Sequence, residues 1–146
     1  MRVSLDDDFQ LDDDPSRLDI AFVWRELTNA YWSRGIPREL VERAIRSSRC
    51  FGVYREGEQV AFARVIGDMA TFAYLCDVVV AERCRGRGLG KRLVAAILEQ
   101  PGLADVRRVL LATKDAHGLY ARFGFEDVPP HVFMERKKSD PYGAGS

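Results

Sequence analysis

A turn between an apolar run and an amphipathic segment holds the residues whose types and spacing point most directly to chemistry. Three glycines, Gly86, Gly88 and Gly90, fall within five residues. Glycine lets a backbone approach a ligand closely and expose successive N–H groups. A helix predicted to begin at about Leu89 places the positive end of its dipole behind them. The turn therefore predicts an anion site, most often one for phosphate.

The spacing in this turn excludes two common phosphate loops. A dinucleotide fingerprint needs a third glycine three residues after Gly88, where Lys91 stands, and a Walker A loop needs glycine in place of Arg85. The pattern that remains is Arg-x-x-Gly-x-Gly between a strand and a helix. Its cations are Arg83, Arg85, Arg87, Lys91 and Arg92. The alternative is a basic connection without a ligand, which the cost of three glycines disfavours.

Size and charge narrow the class of protein. The chain has 146 residues and a formal net charge of zero, so it predicts one domain without bulk attraction to nucleic acid or membrane. No apolar run approaches the length that spans a bilayer, and residues 1–5 lack a signal-like apolar region. Three cysteines without metal-ligand spacing predict packing thiols, no metal and a cytoplasmic protein. Acidic residues concentrate at Asp6, Asp7, Asp8, Asp12, Asp13 and Asp14.

Apolar periodicity predicts four helices. Ser16-x-x-Asp19 resembles a capping box before a helix whose apolar positions run from Ile20 to Tyr31. Gly35 ends that helix, and Pro37 suits the first position of a second one. A third helix follows the glycine turn, and a fourth, around 115–122, ends at Gly124, which suits a C-cap.

The strand pattern completes the predicted fold. Apolar, β-rich runs occupy 50–54, 59–66, 71–80, 106–113 and a final pair at 125–128 and 131–134, with a short edge strand near 9–11. Glu56-Gly57-Glu58 predicts a hairpin turn between 50–54 and 59–66. We predict an α/β fold: a mixed, mostly antiparallel sheet of six to seven strands flanked by about four helices. The unit over 71–113 supplies the parallel pair.

The element order and two motifs resemble the GCN5-related N-acetyltransferase (GNAT) superfamily. The motifs are the glycine turn and, downstream, Leu119-Tyr120-Ala121-Arg122-Phe123-Gly124-Phe125, which is similar to the family's Leu-Tyr-x-x-x-Gly-Phe element. The resemblance covers about residues 9–136. It implies one acetyltransferase domain over 1–136, followed by a disordered tail over 137–146.

The resemblance implies how a donor, acetyl-CoA, would bind. Backbone N–H groups of Gly86, Arg87, Gly88, Leu89, Gly90 and Lys91 would cradle its pyrophosphate, with charge added by Arg85 and Arg87. The backbone of Val78, Val79 and Val80 would bind the pantetheine arm where two strands splay apart, because a splay leaves backbone groups unpaired.

The resemblance also implies catalytic residues. Tyr120 matches a tyrosine that acts as general acid to the departing thiolate. Asp77, which interrupts an apolar strand, is the best candidate for a base or amine-orienting group. The alternatives are that Tyr120 only packs over the sheet edge and that Asp77 only binds backbone. Glu26 is a weaker candidate base, and ordered water could replace a dedicated base.

Acceptor recognition is predicted from aromatic residues in the first two helices and the central strand: Tyr31, Trp32, Phe72 and Tyr74. The expected reaction is direct attack by a primary amine, of a small molecule or a protein, in a ternary complex. The alternative is a non-catalytic acyl-CoA-binding or regulatory module of the same fold. Relatives often dimerise, which makes a homodimer an expected state to test.

Overall fold

A six-stranded sheet whose spatial order equals its chain order forms the centre of the protein. The computed structural model describes residues 1–6 and 8–143. The strands are β1 (Arg2–Ser4), β2 (Gln10–Asp12), β3 (Arg49–Arg55), β4 (Glu58–Gly67), β5 (Phe72–Val80) and β6 (Arg108–Leu110). Neighbours from β1 to β5 are antiparallel, and β5 and β6 are parallel. This mixed, mostly antiparallel sheet confirms the predicted fold class.

Within the described residues, four α-helices and two short 3-10 turns accompany the sheet. The helices are α1 (Ile20–Asn29), α2 (Arg38–Arg46), α3 (Leu89–Leu98) and α4 (His117–Ala121), and the turns span Pro15–Arg17 and Glu82–Cys84. The buried apolar residues of α1 and of α3 pack with those of strands β2, β3, β4 and β5 in one hydrophobic cluster. This cluster fixes the start of α3, and with it the glycine turn, against the end of β5.

The start of α1 differs from the sequence prediction. Asp19, not Ser16, caps the helix, because its carboxylate accepts a hydrogen bond from the N–H of Phe22 at 3.2 Å. Ser16 lies in the preceding 3-10 turn, which Asp14 caps. The predicted capping box is therefore wrong. Several short polar residues in this segment can cap a helix, and the structure uses Asp14 for the 3-10 turn and Asp19 for α1.

The turn predicted between β3 and β4 is confirmed. Glu56 and Gly57 both have positive φ angles, 52° and 81°. This pair of left-handed residues matches the right-handed twist of the flanking strands.

The N-terminal segment contributes two strands to the sheet. The strand expected near 9–11 is β2, and β1 beside it was not predicted. Asp12 is buried and forms ion pairs with Arg2 and Arg17 at 3.2 and 2.7 Å. Asp13 pairs with the terminal ammonium group at 2.8 Å. These aspartates hold the first strands in place.

The last two predicted strands are wrong. Residues 125–134 contain no strand, and Val128, Val132, Phe133 and Met134 are exposed. Pro129 and Pro130 occupy the turn between the two predicted strands, where their fixed φ of about −65° excludes the positive φ angles that a two-residue hairpin turn requires. The strand predicted over 106–113 is also shorter, spanning Arg108–Leu110. Of the predicted tail, 137–143 has neither helix nor strand, and 144–146 lie outside the described residues.

Candidate active site at the end of strand β5

The glycine turn has the backbone of an anion site. Gly86 and Gly88 adopt left-handed φ angles of 80° and 71°. Gly88 caps α3 without a side-chain hydrogen bond, and the first helical bond runs from the N–H of Arg92 to the Gly88 carbonyl at 3.1 Å. The N–H groups of Leu89, Gly90 and Lys91 therefore belong to the first turn, where the helix supplies no acceptor. They point, with the helix dipole, toward the turn.

Open space lies in front of this backbone. A Cβ added at Gly86 or Gly88 would meet no atom within 4 Å. Leu89 buries its side chain, at 2% exposure, so it can offer a ligand only its backbone. Arg87 and Lys91 are exposed at the turn. The glycines are thus needed for their φ angles, and the space they leave is free for a ligand.

Three arginines of the turn are engaged with the protein itself, and Arg83 pairs with Glu58 at 3.5 Å. The Arg85 Nε donates to the Val80 carbonyl at 3.0 Å, and its Nη2 lies 3.6 Å from a carboxylate oxygen of Glu26. Arg92 forms an ion pair with Asp6 and donates to the Arg87 carbonyl at 3.0 Å. Arg92 therefore stabilises the turn through the Arg87 carbonyl, while Arg85 packs against the end of β5.

Strand β5 extends well beyond its pairing with β6. The parallel register runs only from Phe72–Arg108 to Tyr74–Leu110, whereas β5 continues to Val80. Among the described residues, no strand pairs with the β6-facing edge of β5 at Val78, Val79 and Val80. The two strands therefore part beside the glycine turn, as the sequence predicts for residues 78–80.

Asp77 sits at a bulge in β5. Phe62 pairs with Val79 and Arg64 with Cys76, so two steps along β4 face three along β5. The extra residue adopts a left-handed φ of 55° at Asp77, which redirects its side chain. The carboxylate accepts one hydrogen bond from Trp32 Nε1 and one from Arg64 Nε, each at 2.8 Å.

Arg64 is a functional candidate that the sequence analysis missed. Burial is the largest influence and would lower the pKa of its guanidinium, but the charge of Asp77, its hydrogen bond and the neighbouring Cys76 and Cys50 together raise the pKa overall. Arg64 also donates to Ser48 Oγ at 3.0 Å. The available signal was a single cation within the otherwise apolar run of β4, because a charge buried in a sheet needs a partner.

Two aromatic residues follow α1, and one of them, Trp32, contacts this ion pair through its bond to Asp77. Tyr31 and Trp32 are 54% and 45% exposed, and their rings meet edge to face at 5.0 Å. Lys114 Nζ lies 5.3 Å from the centre of the Tyr31 ring. The connection between α1 and α2 therefore meets the loop that follows β6.

Tyr120 lies half-buried in α4. Burial, followed by the proximity of Tyr31, raises the pKa of its phenol, so the group keeps its proton at neutral pH. Its ring packs edge to face on Phe125 at 5.8 Å. The predicted cap at Gly124 is confirmed by a φ of 89° and a hydrogen bond from Phe125 N to the Tyr120 carbonyl at 3.3 Å.

The other two predicted acceptor residues lie lower on β5. Tyr74 is close enough to Cys76, Asp77 and Arg64 for their charges to affect its pKa, which burial raises. Phe72 begins the strand, five residues before Asp77, or about 16 Å along an extended backbone. The structure thus brings together Tyr31, Trp32 and Asp77, with Tyr74 nearby, and leaves Phe72 apart.

A cavity of about 1190 Å³ runs along β6, α4 and residues 124–128. Its lining includes Thr113 and Tyr120 but no residue of β5 or of the glycine turn. This cavity thus reaches the candidate site only on the side of Tyr120. The site itself is placed at the end of β5 by its backbone geometry.

A sheet that opens between two parallel strands, with an anion-binding helix start at the opening, defines the class of the acetyltransferase fold. The chain belongs to the acetyltransferase (GNAT) family, whose family model matches residues 20–125. Its relatives are acetyltransferases by name, and the chain is accordingly an N-acetyltransferase.

Relatives and solved structures agree with this assignment. The chain is 30% identical to a Gibberella zeae protein assigned as an acetyltransferase, covering 82% of this chain and 80% of that one. It is 49% identical, with a TM-score of 0.88, to a GNAT-family structure from Xanthomonas campestris pv. campestris, covering 92% and 96% of the two chains. A GNAT acetyltransferase from Elizabethkingia anophelis with acetyl-CoA bound shares the fold at 16% identity and a TM-score of 0.66, covering 85% and 80%.

Residues 1–6 and 8–143 lack two features. No helix there is long and apolar enough to cross a membrane. No group of three or more His, Cys, Asp or Glu side chains is arranged to hold a metal ion in that part of the chain.

Proposed function

We propose that the protein transfers an acetyl group from acetyl-CoA to a primary amine, by direct attack in a ternary complex. The observation that carries the proposal is the glycine turn at the start of α3, set beside the unpaired edge of β5. A phosphorylated ligand with an amide-bearing arm suits this pair of features, because one part needs N–H donors and the other a strand edge. The acetyl-CoA found in the Elizabethkingia anophelis relative supports the choice of donor.

The donor side of the site fits this ligand. The backbone of Gly86 and of Gly88 faces open space, because a Cβ placed on either residue would have no described neighbour within 4 Å. Arg87 and Lys91 are exposed cations at the same turn and suit a pyrophosphate. Arg85 must leave the Val80 carbonyl for that group to bind an amide of the arm.

Tyr120 is proposed as the general acid. The thioester supplies the acyl group, and the new C–N bond forms as the C–S bond breaks. The phenol of Tyr120 then gives its proton to the departing sulfur. The raised pKa of the phenol is consistent with this role, because a general acid must carry its proton when the reaction begins.

Asp77 is proposed to orient the amine side. Both of its oxygens already accept hydrogen bonds, from Trp32 and from Arg64. This arrangement favours the orienting role over that of a base, and an ordered water is then the expected path for the proton that the amine loses. The acceptor would lie between Asp77, Tyr74 and the rings of Tyr31 and Trp32.

The test is release of free thiol from acetyl-CoA with a panel of small amines, amino acids and peptides. We expect at least one amine to give turnover that depends on Tyr120. Binding of acetyl-CoA without release, across the panel, would instead assign the chain as an acyl-CoA-binding module. The homodimer that the family resemblance implies and the cytoplasmic location that the cysteines indicate stay predictions.

A further inference from the structure

The hydrogen-bonded series Ser48–Arg64–Asp77–Trp32 links the interior of the sheet to the mouth of the site. We propose that Arg64 and Asp77 are positioning residues, which hold Trp32 and the α1–α2 connection in place as a wall of the acceptor site. The inference rests on the proposed function, since it assigns the acceptor side of that same site. Neither residue is proposed to touch the acetyl group.

The bulge in β5 gives Asp77 its direction. A residue in a regular strand at this position would follow the alternation of Cys76 and Val78. The extra residue and the left-handed φ break that alternation. The carboxylate, 9% exposed, can then bind Trp32 on one side and Arg64 on the other.

Arg64 fixes the carboxylate from below. It lies across the sheet from both Cys50 on β3 and Cys76 on β5. Two of its nitrogens are used in different directions, Nε to Asp77 and Nη1 to Ser48 at the start of β3. A planar guanidinium sets the angle between these bonds, which an ammonium group does not.

Trp32 is the residue that this pair holds. Its ring is 45% exposed, so it contributes little to the hydrophobic core, yet its N–H is tied at 2.8 Å to a carboxylate 45 residues away. The ring in turn meets Tyr31, whose own proximity raises the pKa of Tyr120. An exposed aromatic pair held this firmly is suited to contact a ligand.

The α1–α2 connection has other anchors, which makes the inference testable. Ser33 Oγ donates to the Leu27 carbonyl at 2.6 Å, and Gly35 N donates to the Thr28 carbonyl at 2.9 Å. The loop should therefore remain folded when the Trp32 contact is lost. Only the position of the indole should change.

Three substitutions break the series at different points: Trp32→Phe removes the N–H, Asp77→Asn removes the charge, and Arg64→Met removes the cation. Each should reduce kcat/KM for the acceptor about five- to twentyfold, mainly through KM. This is less than the full worth of a hydrogen bond to a charged group, because the lost bond acts on the acceptor only through the position of the indole. The Kd for acetyl-CoA should stay within about twofold, a shift too small to mark a lost hydrogen bond. Arg46→Met, at the exposed end of α2, is the control and should change neither value.

Tryptophan fluorescence gives a second readout that does not depend on activity. The chain has two tryptophans, and a Trp24→Phe background leaves Trp32 as the sole tryptophan emitter. That substitution also removes the bond from Trp24 Nε1 to the Ile36 carbonyl, so every variant is compared with the Trp24→Phe protein itself. Adding Asp77→Ala or Arg64→Met to that background should shift the Trp32 emission to the red and increase quenching by acrylamide. Adding Arg46→Met should leave both unchanged.

The outcomes separate the two proposals. Absence of acetyl-CoA binding by the unmodified protein would overturn the proposed function, while the quenching result would still decide whether Arg64 and Asp77 hold Trp32. Turnover with an unchanged acceptor KM in all three variants, or unchanged Trp32 quenching, would overturn the positioning role. Equal losses in acceptor KM and acetyl-CoA affinity would also overturn it, because they would indicate general damage to the fold.

Discussion

Alanine at Gly88 tests whether the turn binds the donor through its backbone. Gly88 has φ 71° and ψ 17°, a left-handed conformation, and an added Cβ would meet nothing within 4 Å. The stability cost is therefore only that of the backbone, about 1–2 kcal/mol, or about 3–8 °C in Tm for a chain of this size. Gly57 in the β3–β4 hairpin has φ 81° and the same open surroundings, so Gly57→Ala should cost the same.

The two variants should differ in ligand affinity. An alanine at position 88 keeps its N–H, but its Cβ would occupy the open space in front of the turn and hold a phosphate away from the backbone. One backbone N–H that binds a phosphate is worth about 1.5–3 kcal/mol, which is about 10- to 150-fold in Kd. We expect Gly88→Ala to weaken acetyl-CoA binding by about that factor in isothermal titration calorimetry and Gly57→Ala to leave it unchanged. Equal Kd values for Gly88→Ala and the unmodified protein, with equal losses of stability in the two variants, would refute the assignment of the turn as the pyrophosphate site.

Three further substitutions are predicted. Tyr120→Phe should lower kcat about 100-fold without changing the Kd for acetyl-CoA, and unchanged turnover would leave Tyr120 a packing role. The activity that Tyr120 supplies should persist to higher pH than an unperturbed phenol allows, because burial raises the pKa of the group. Tyr54→Phe should raise stability to urea by about 1 kcal/mol, since the buried hydroxyl has no hydrogen-bond partner among the described residues; a loss would show that one exists. Asp12→Asn should cost about 1–3 kcal/mol at neutral pH through its bonds from Arg17 and Arg2. Burial tends to raise the pKa of Asp12, yet the bonds from Arg17 and from the N–H of Asp14 lower it overall from 3.8, so the cost should fade in acid as the pH falls below that value; a pH-independent cost would contradict the ion pair.

Local patterns predicted the elements that local forces build. The apolar stripe of α3, the glycine turn before it and the hairpin at Gly57 each depend on residues a few positions apart, and each is present. The prolines at 129–130 are a local signal against the strand pair predicted over 125–134, because proline fixes φ and has no N–H donor. Asp19 took the cap expected of Ser16 because both could cap, and sequence alone does not rank them.

The contacts that make up the acceptor side could not be predicted in this way. Trp32 and Asp77 are separated by 45 residues, and Arg64 and Asp77 by 13. Their meeting depends on the bulge, which shifts the register of β5 against β4 by one residue. No periodicity in the sequence marks that shift, although Asp77 itself was noticed as a charge in an apolar strand.

The sequence by itself determined the donor side: a glycine turn before a helix carries its own N–H groups and dipole, whatever surrounds it. Only the tertiary structure decided which charges are free at that turn, because Arg85 and Arg92 are bound by Val80 and by Asp6. It alone also joined Arg64, Asp77 and Trp32, since a side chain acquires a partner far along the chain only when the sheet sets their strands in register.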